Sequence, residues 1–125
     1  MAKILVVDDE KDIVRVVVKL LTGCGHEVAT AADGFEALEQ VRVDRPDAII
    51  LDLNLPTMDG FEVCRRLKAD PVTRGIPIVM MTAAYLGLDD ARNAGNSCPD
   101  AYVVKPFLRE VIIQNVERLL HHAAG

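Results

Sequence analysis

Two aliphatic runs in this chain end abruptly in acid. Ile4-Leu5-Val6-Val7 is followed by Asp8, Asp9 and Glu10, and Ala48-Ile49-Ile50-Leu51 by Asp52. A third run, Ile76 to Met81, ends at Thr82, and a fourth, Ala101 to Val104, ends at Lys105. If these runs are strands of one parallel sheet, Asp8, Asp9, Asp52, Thr82 and Lys105 meet in the crevice at the strands' carboxyl ends. Three carboxylates about 5 Å apart would repel by roughly 3 kcal/mol per pair at an effective dielectric of about 20, so the group needs a cation. With no histidine or cysteine beside them, hard oxygen donors suit Mg²⁺, which binds through one or two carboxylates plus a phosphate and keeps several waters. A carboxylate beside such an ion can attack phosphorus. Charge then develops on the equatorial oxygens, and a cation and a hydroxyl are needed opposite the metal, the places of Lys105 and Thr82. Asp52, at the end of a central strand, is the best-placed nucleophile.

The segments between the runs must bring their ends together. From Lys11 to Thr22, Ile13, Val14, Val17, Val18 and Leu21 recur at helical spacing, and Gly23 and Gly25 stop the helix. Glu27 to Thr30 reads as a short strand, with Asp33-Gly34 as the turn after it. Ala37, Leu38 and Val41 form the stripe of a second helix, which must end before Pro46. Pro56 to Gly60 is a loop, and Phe61, Val63, Cys64 and Leu67 are the buried side of a third helix closing near Asp70-Pro71. Leu86 to Ala94 has only a weak helical stripe, and Gly95 to Pro99 is a loop rich in breakers. A long final helix runs from Phe107 to about His122. Strands alternating with helices predict an α/β fold, a three-layer flavodoxin-like (βα)5 domain with a five-stranded parallel sheet in the order 2-1-3-4-5 and helices on both faces.

Composition narrows the function classes. The 125 residues fit a single domain, spanning 1–125, and a core of that size needs no staple. A net charge of −5 with no basic stripe argues against direct binding of nucleic acid. The amino-terminal apolar run is too short for a membrane span or a secretion signal, so a cytoplasmic protein is expected. Cys24, Cys64 and Cys98 are scattered and odd in number, which reads as reduced thiols rather than a disulfide framework or zinc site. His26 reads as a surface residue at a strand start.

The blocks Ile4-Leu5-Val6-Val7-Asp8-Asp9-Glu10, Asp47 to Pro56, Met58-Asp59-Gly60-Phe61-Glu62-Val63, Met81-Thr82-Ala83 and Tyr102-Val103-Val104-Lys105-Pro106-Phe107 stand in the order found in receiver domains of two-component response regulators. The chain resembles that family over nearly its whole length. The resemblance implies that Asp52 is the phosphorylation site, that Asp9 ligates the metal directly and Asp8 largely through water, and that the backbone carbonyl of Asn54 completes the protein's share of the shell. It implies phosphoryl contacts from Thr82, Lys105 and the backbone N–H of Ala83, a cis peptide between Lys105 and Pro106, and Tyr102 as an aromatic switch coupled to Thr82. Mg²⁺ is the implied cofactor, with Mn²⁺ or Ca²⁺ as substitutes. The implied partners are a histidine kinase or histidine phosphotransfer protein and an output protein or domain, with the chain monomeric or dimerising on phosphorylation.

Each residue also has a plainer explanation. Asp8, Asp9 and Glu10 suit a helix entry, where acids complement the dipole. Thr82 alone is a strand end, Lys105 a solvated loop charge and Tyr102 a half-buried strand aromatic. The alternative enzyme, a haloacid-dehalogenase-type phosphatase, places its nucleophile on the first strand with a second aspartate two residues on. Here Asp52 ends the third strand and is followed by Asn54. A pseudo-receiver that only binds partners would have no need of all five site positions. The segment between Thr82 and Gly95 is shorter than the family pattern, which bears on partner recognition rather than on the acid site.

Overall fold

The computed structural model describes residues 2–82, 100–104 and 109–124. Five parallel strands, β1 (Lys3–Val7), β2 (Glu27–Ala31), β3 (Ala48–Asp52), β4 (Ile78–Thr82) and β5 (Ala101–Val104), form one sheet in the order β2-β1-β3-β4-β5. The described helices are α1 (Lys11–Gly23), α2 (Gly34–Val43), α3 (Gly60–Ala69) and α4 (Arg109–Ala124). The expected fold class and strand order are those observed, and the predicted segment Leu86 to Ala94 lies outside the described residues.

Pleating explains why the central strands are apolar at every position. Successive side chains point to opposite faces, and both faces are covered. Leu5, Val7, Ile49, Leu51, Ile78 and Met80 face α2 and α3, where Ala37, Val41, Val63 and Leu67 meet them. Ile4, Val6, Ile50, Val79, Met81 and Val103 face α1 and α4, where Val17, Leu21, Ile112 and Val116 meet them. Each such side chain contributes roughly 1.5–3 kcal/mol of burial.

Element ends have local causes. Gly25, at φ 89°, ends α1 in the left-handed region, and the N–H of His26 closes on the carbonyl of Leu21. Asp33 and Asp59 cap α2 and α3 by accepting from the N–H groups of Glu36 and Glu62. The fourth strand begins at Ile78, two residues later than the aliphatic run, because Pro77 has no N–H and Asp100 Oδ2 takes the N–H of Ile78 at 2.7 Å.

Two expectations are corrected. The side chain of His26 is only 7% exposed; its Nδ1 accepts from the N–H of Ala2 and its Nε2 lies 2.9 Å from Glu117 on α4. It is a packing residue that joins the amino terminus to the last helix. Cys64, fully buried on α3, is disulfide-bonded, whereas Cys24 is an exposed free thiol. A buried helix face carries Cys64 to its bond, a proximity that cysteine spacing along the chain does not report.

Candidate functional site

Strand register assembles the site. Val7 lies opposite Leu51, Asp52 opposite Met81, and Thr82 opposite Val104, so the strands end almost level. The N–H of Asp8 still reaches the carbonyl of Ala31 on β2 at 3.1 Å, which carries the pairing one residue past β1. Asp8 and Asp52 are therefore held by the sheet itself, each only 2% exposed, and Thr82 is 1% exposed at the end of β4. Polar groups this buried persist only with compensating partners.

Three carboxylates converge here. Asp8, Glu10 and Asp52 each offer an oxygen, and these oxygens lie within 4.8 Å of one another. Asp8 Oδ1 also accepts from the N–H of Glu10 at 2.9 Å, which folds the β1–α1 turn back on itself. Glu10 is the N-cap residue of α1, yet its side chain makes no capping bond, in contrast to Asp33 and Asp59. A carboxylate spared from capping and turned toward two others suits a cation. All donors are hard oxygens, so the group fits a divalent metal of the Mg²⁺ type.

Asp9 is exposed and lies outside this trio. It lines an adjoining groove of about 340 Å³ with Lys11, Arg15 and Glu36, and Asp8 of the trio lines the same groove. Glu10 is the acid that reasoning from the strand ends passed over. Its signal in the sequence was glutamate at a helix entry, a position that favours Ser, Thr, Asp or Asn for capping.

The loop from β3 to α3 is tightly drawn against Asp52. The N–H of Gly60 donates to the carbonyl of Leu53 at 2.8 Å, and a Cβ on Gly60 would stand 2.6 Å from the carbonyl oxygen of Asp52. Only glycine allows α3 to start this close to the end of β3. Thr57 adopts φ 66°, a conformation that costs a β-branched residue energy, and its hydroxyl donates to the carbonyl of Pro56. Asn54 is exposed on this loop.

Tyr102 on β5 packs against the α2/α3 side of the core. Its hydroxyl is buried without a hydrogen-bond partner among the described residues. Burial raises the phenol above its ordinary pKa of 10.0. Away from the site, hydrogen bonds from Arg65 and Arg66 hold Glu62 below the usual carboxylate range. Ala83, Lys105 and Pro106 lie outside the described residues.

Residues 4–117 match the response regulator receiver domain family, and the chain belongs to that family, the receiver domains of two-component signalling. It is 54% identical over 118 residues to response regulator PleD of Caulobacter vibrioides, covering 94% of this chain and 26% of PleD. It is 41% identical to DNA-binding response regulator MtrA of Mycolicibacterium smegmatis, covering 94% of this chain and 50% of MtrA. The chain thus spans about a quarter to a half of these relatives. Among solved structures, chemotaxis response regulator CheY4 of Vibrio cholerae superposes with a TM-score of 0.86 at 35% identity, over 95% of this chain and 98% of CheY4.

Proposed function

We propose that the chain is one receiver unit that accepts a phosphoryl group on Asp52 in a Mg²⁺-dependent reaction. The observation that carries this reading is the placement of Asp52, buried at the end of central β3 with carboxylates of Asp8 and Glu10 gathered around it. A carboxylate oxygen of Asp52 forms the new bond to phosphorus. The bond from phosphorus to its donor breaks, and the donor, a histidine of a kinase or phosphotransfer protein, keeps the electron pair and takes up a proton. Asp8, Asp9, Asp52 and the backbone carbonyl of Asn54 would hold the metal, with Glu10 beside them. When bound, the metal neutralises charge that builds on the phosphoryl oxygens.

Thr82, at the end of β4, stands one register step from Asp52 and supplies a hydroxyl for a phosphoryl oxygen. Lys105 and the N–H of Ala83 are the remaining donors of the proposal. Phosphorylation adds nearly two negative charges and three acceptor oxygens, so the chain around Thr82 gains contacts only in the phosphorylated state. Tyr102 fits the role of the coupled switch, because its inward position leaves a buried hydroxyl without a partner and so is not strongly preferred. The function is that of a signalling phosphoacceptor in the cytoplasm, acting on an output domain or protein, not of an enzyme turning over outside substrates. No described helix is long and apolar enough to cross a membrane.

The test is incubation with acetyl phosphate and Mg²⁺, read by intact mass. One added phosphoryl group that is absent in Asp52→Asn and after chelation of the metal supports the reading. Release of phosphate from unrelated phosphomonoesters, without a stable adduct, would overturn it in favour of a phosphatase.

A further inference from the structure

We propose that the groove beside the acid trio seats the carrier part of a small-molecule phosphoryl donor, and that Lys11 and Arg15 select carriers bearing a carboxylate of their own. The substrate class is an acyl phosphate with a second, distal carboxylate. The inference rests on the phosphoacceptor reading above and adds a kind of donor to it.

The groove lies between α1 and the end of β2, and its volume of about 340 Å³ is that of a small-ligand site. Asp8 belongs both to the groove and to the trio, so the two are continuous. Asp52 belongs to the trio alone. A phosphoryl group delivered to Asp52 therefore leaves the groove for the part of the donor that is not transferred. The groove is also polarised along its length. Lys11 and Arg15 are exposed on one face of α1, four residues and about 6 Å of helix rise apart. Since α1 leads from the end of β1 back to the start of the parallel β2, Arg15 stands farther than Lys11 from the acidic edge of the sheet. Between them and β2 the lining is small and mostly apolar, from Val14, Ala31 and Ala32.

These two cations have no other work among the described residues. Ion pairs there engage Lys3, Arg42, Arg65, Arg66 and Lys68, and none involves Lys11 or Arg15. Glu36, the acid of the far wall, is committed to its own turn, where Oε2 accepts from the N–H of Ala32 at 3.3 Å. Asp9 is taken up by the metal in the reading above. An ammonium and a guanidinium one turn apart suit a carboxylate between them, because each donates charge-assisted hydrogen bonds.

The transfer balances without a further reactant. A carboxylate oxygen of Asp52 forms the bond to phosphorus, the bond from phosphorus to the acyl oxygen breaks, and the released acyl carboxylate keeps the electron pair. No proton moves, and the total charge is the same on both sides.

The probes are benzoyl phosphate and 4-carboxybenzoyl phosphate, which differ only in the distal carboxylate. Uptake by the full chain in Mg²⁺ is followed by intact mass over a range of donor concentration. The carboxylated donor should be used several-fold more efficiently, through a lower KM, and the preference should vanish in the Lys11→Gln/Arg15→Gln double variant. Lys19→Gln, which removes an exposed cation of α1 outside the groove, should keep the preference. Without metal or phosphate, terephthalate should shift the backbone amide resonances of Lys11, Arg15 and Ala32 saturably in the wild type and not in the double variant. Equal use of the two donors, a preference that survives the double substitution, or a loss as large in Lys19→Gln overturns the selection by Lys11 and Arg15 and leaves the phosphoacceptor reading standing. So does the absence of a saturable response to terephthalate. No uptake from either donor overturns the phosphoacceptor reading and the donor role with it, while the terephthalate titration still reports whether the groove binds a carboxylate.

Discussion

The two edges of the sheet treat charge in opposite ways. At the amino-terminal edge acids are matched one by one. Lys3 donates to Asp44 through its ammonium and to Asp47 through its backbone N–H, and Lys68 reaches Asp100. At the carboxyl-terminal edge three acids are crowded within 4.8 Å of one another, two of them almost fully buried. The first arrangement anchors strand starts and stabilises the fold. The second concentrates like charge where folding alone would disperse it, and such crowding makes a site able to hold a cation. The same sheet serves both, because parallel strands send all their carboxyl ends to one side.

The largest expected effect breaks the acidic edge. Asp52→Asn should lose phosphoryl uptake outright, and with it most of the stabilisation by Mg²⁺. For the wild type that stabilisation is about 2.7 kcal/mol at a metal concentration of roughly 100 times Kd, and thermal melts with and without metal measure the difference. An equally strong metal response in Asp52→Asn would show that the acids are not working as one site.

At the opposite edge, Asp100→Ala should cost about 1–3 kcal/mol in urea unfolding, because the N–H of Ile78 loses its acceptor. The metal response should stay intact. Gly60→Ala bridges the comparison. Its Cβ would collide with the carbonyl of Asp52, so a stability loss of about 1–3 kcal/mol should come together with weaker metal binding. Stability loss with unchanged metal affinity would separate the loop from the site.

Thr57→Gly should stabilise the protein by about 1 kcal/mol, since glycine adopts φ 66° without strain. The smallest effect belongs to Tyr102→Phe, neutral to about 1 kcal/mol more stable near pH 7, because it removes a buried hydroxyl that lacks a partner. The sign reverses nowhere, but the gap widens in alkali. The folded phenol has a raised pKa, so the unfolded chain ionises first as pH rises past 10.0, and the wild type then loses stability that the phenylalanine variant keeps. Parallel urea titrations at neutral pH and above pH 10 would show this, and an identical decline in both proteins would place the alkaline loss elsewhere.

Local pattern carried much of this. The aliphatic runs ending at Asp8, Asp52 and Thr82 announced both the strands and the acid site, because the residue after a doubly buried strand has to emerge at a sheet edge. Turn and cap residues such as Gly25, Asp33 and Asp59 were equally readable, since each answers a need of its own few neighbours. Less legible were residues whose role depends on distant chain. His26 looks like a surface residue until α4 brings Glu117 to it, and Cys64 looks like an isolated thiol until α3 packs.

The sequence by itself determined the order of elements, the two-sided burial of the sheet and the identity of the acids that could gather at its edge, because backbone pleat and helical periodicity are local properties of the chain. Only the tertiary structure decided that Glu10 joins Asp8 and Asp52 while Asp9 faces the neighbouring groove. That choice depends on a few backbone dihedrals between β1 and α1, where the Asp8 carboxylate holds the N–H of Glu10 and the helix docks on the sheet, so acid types and spacing alone do not fix it.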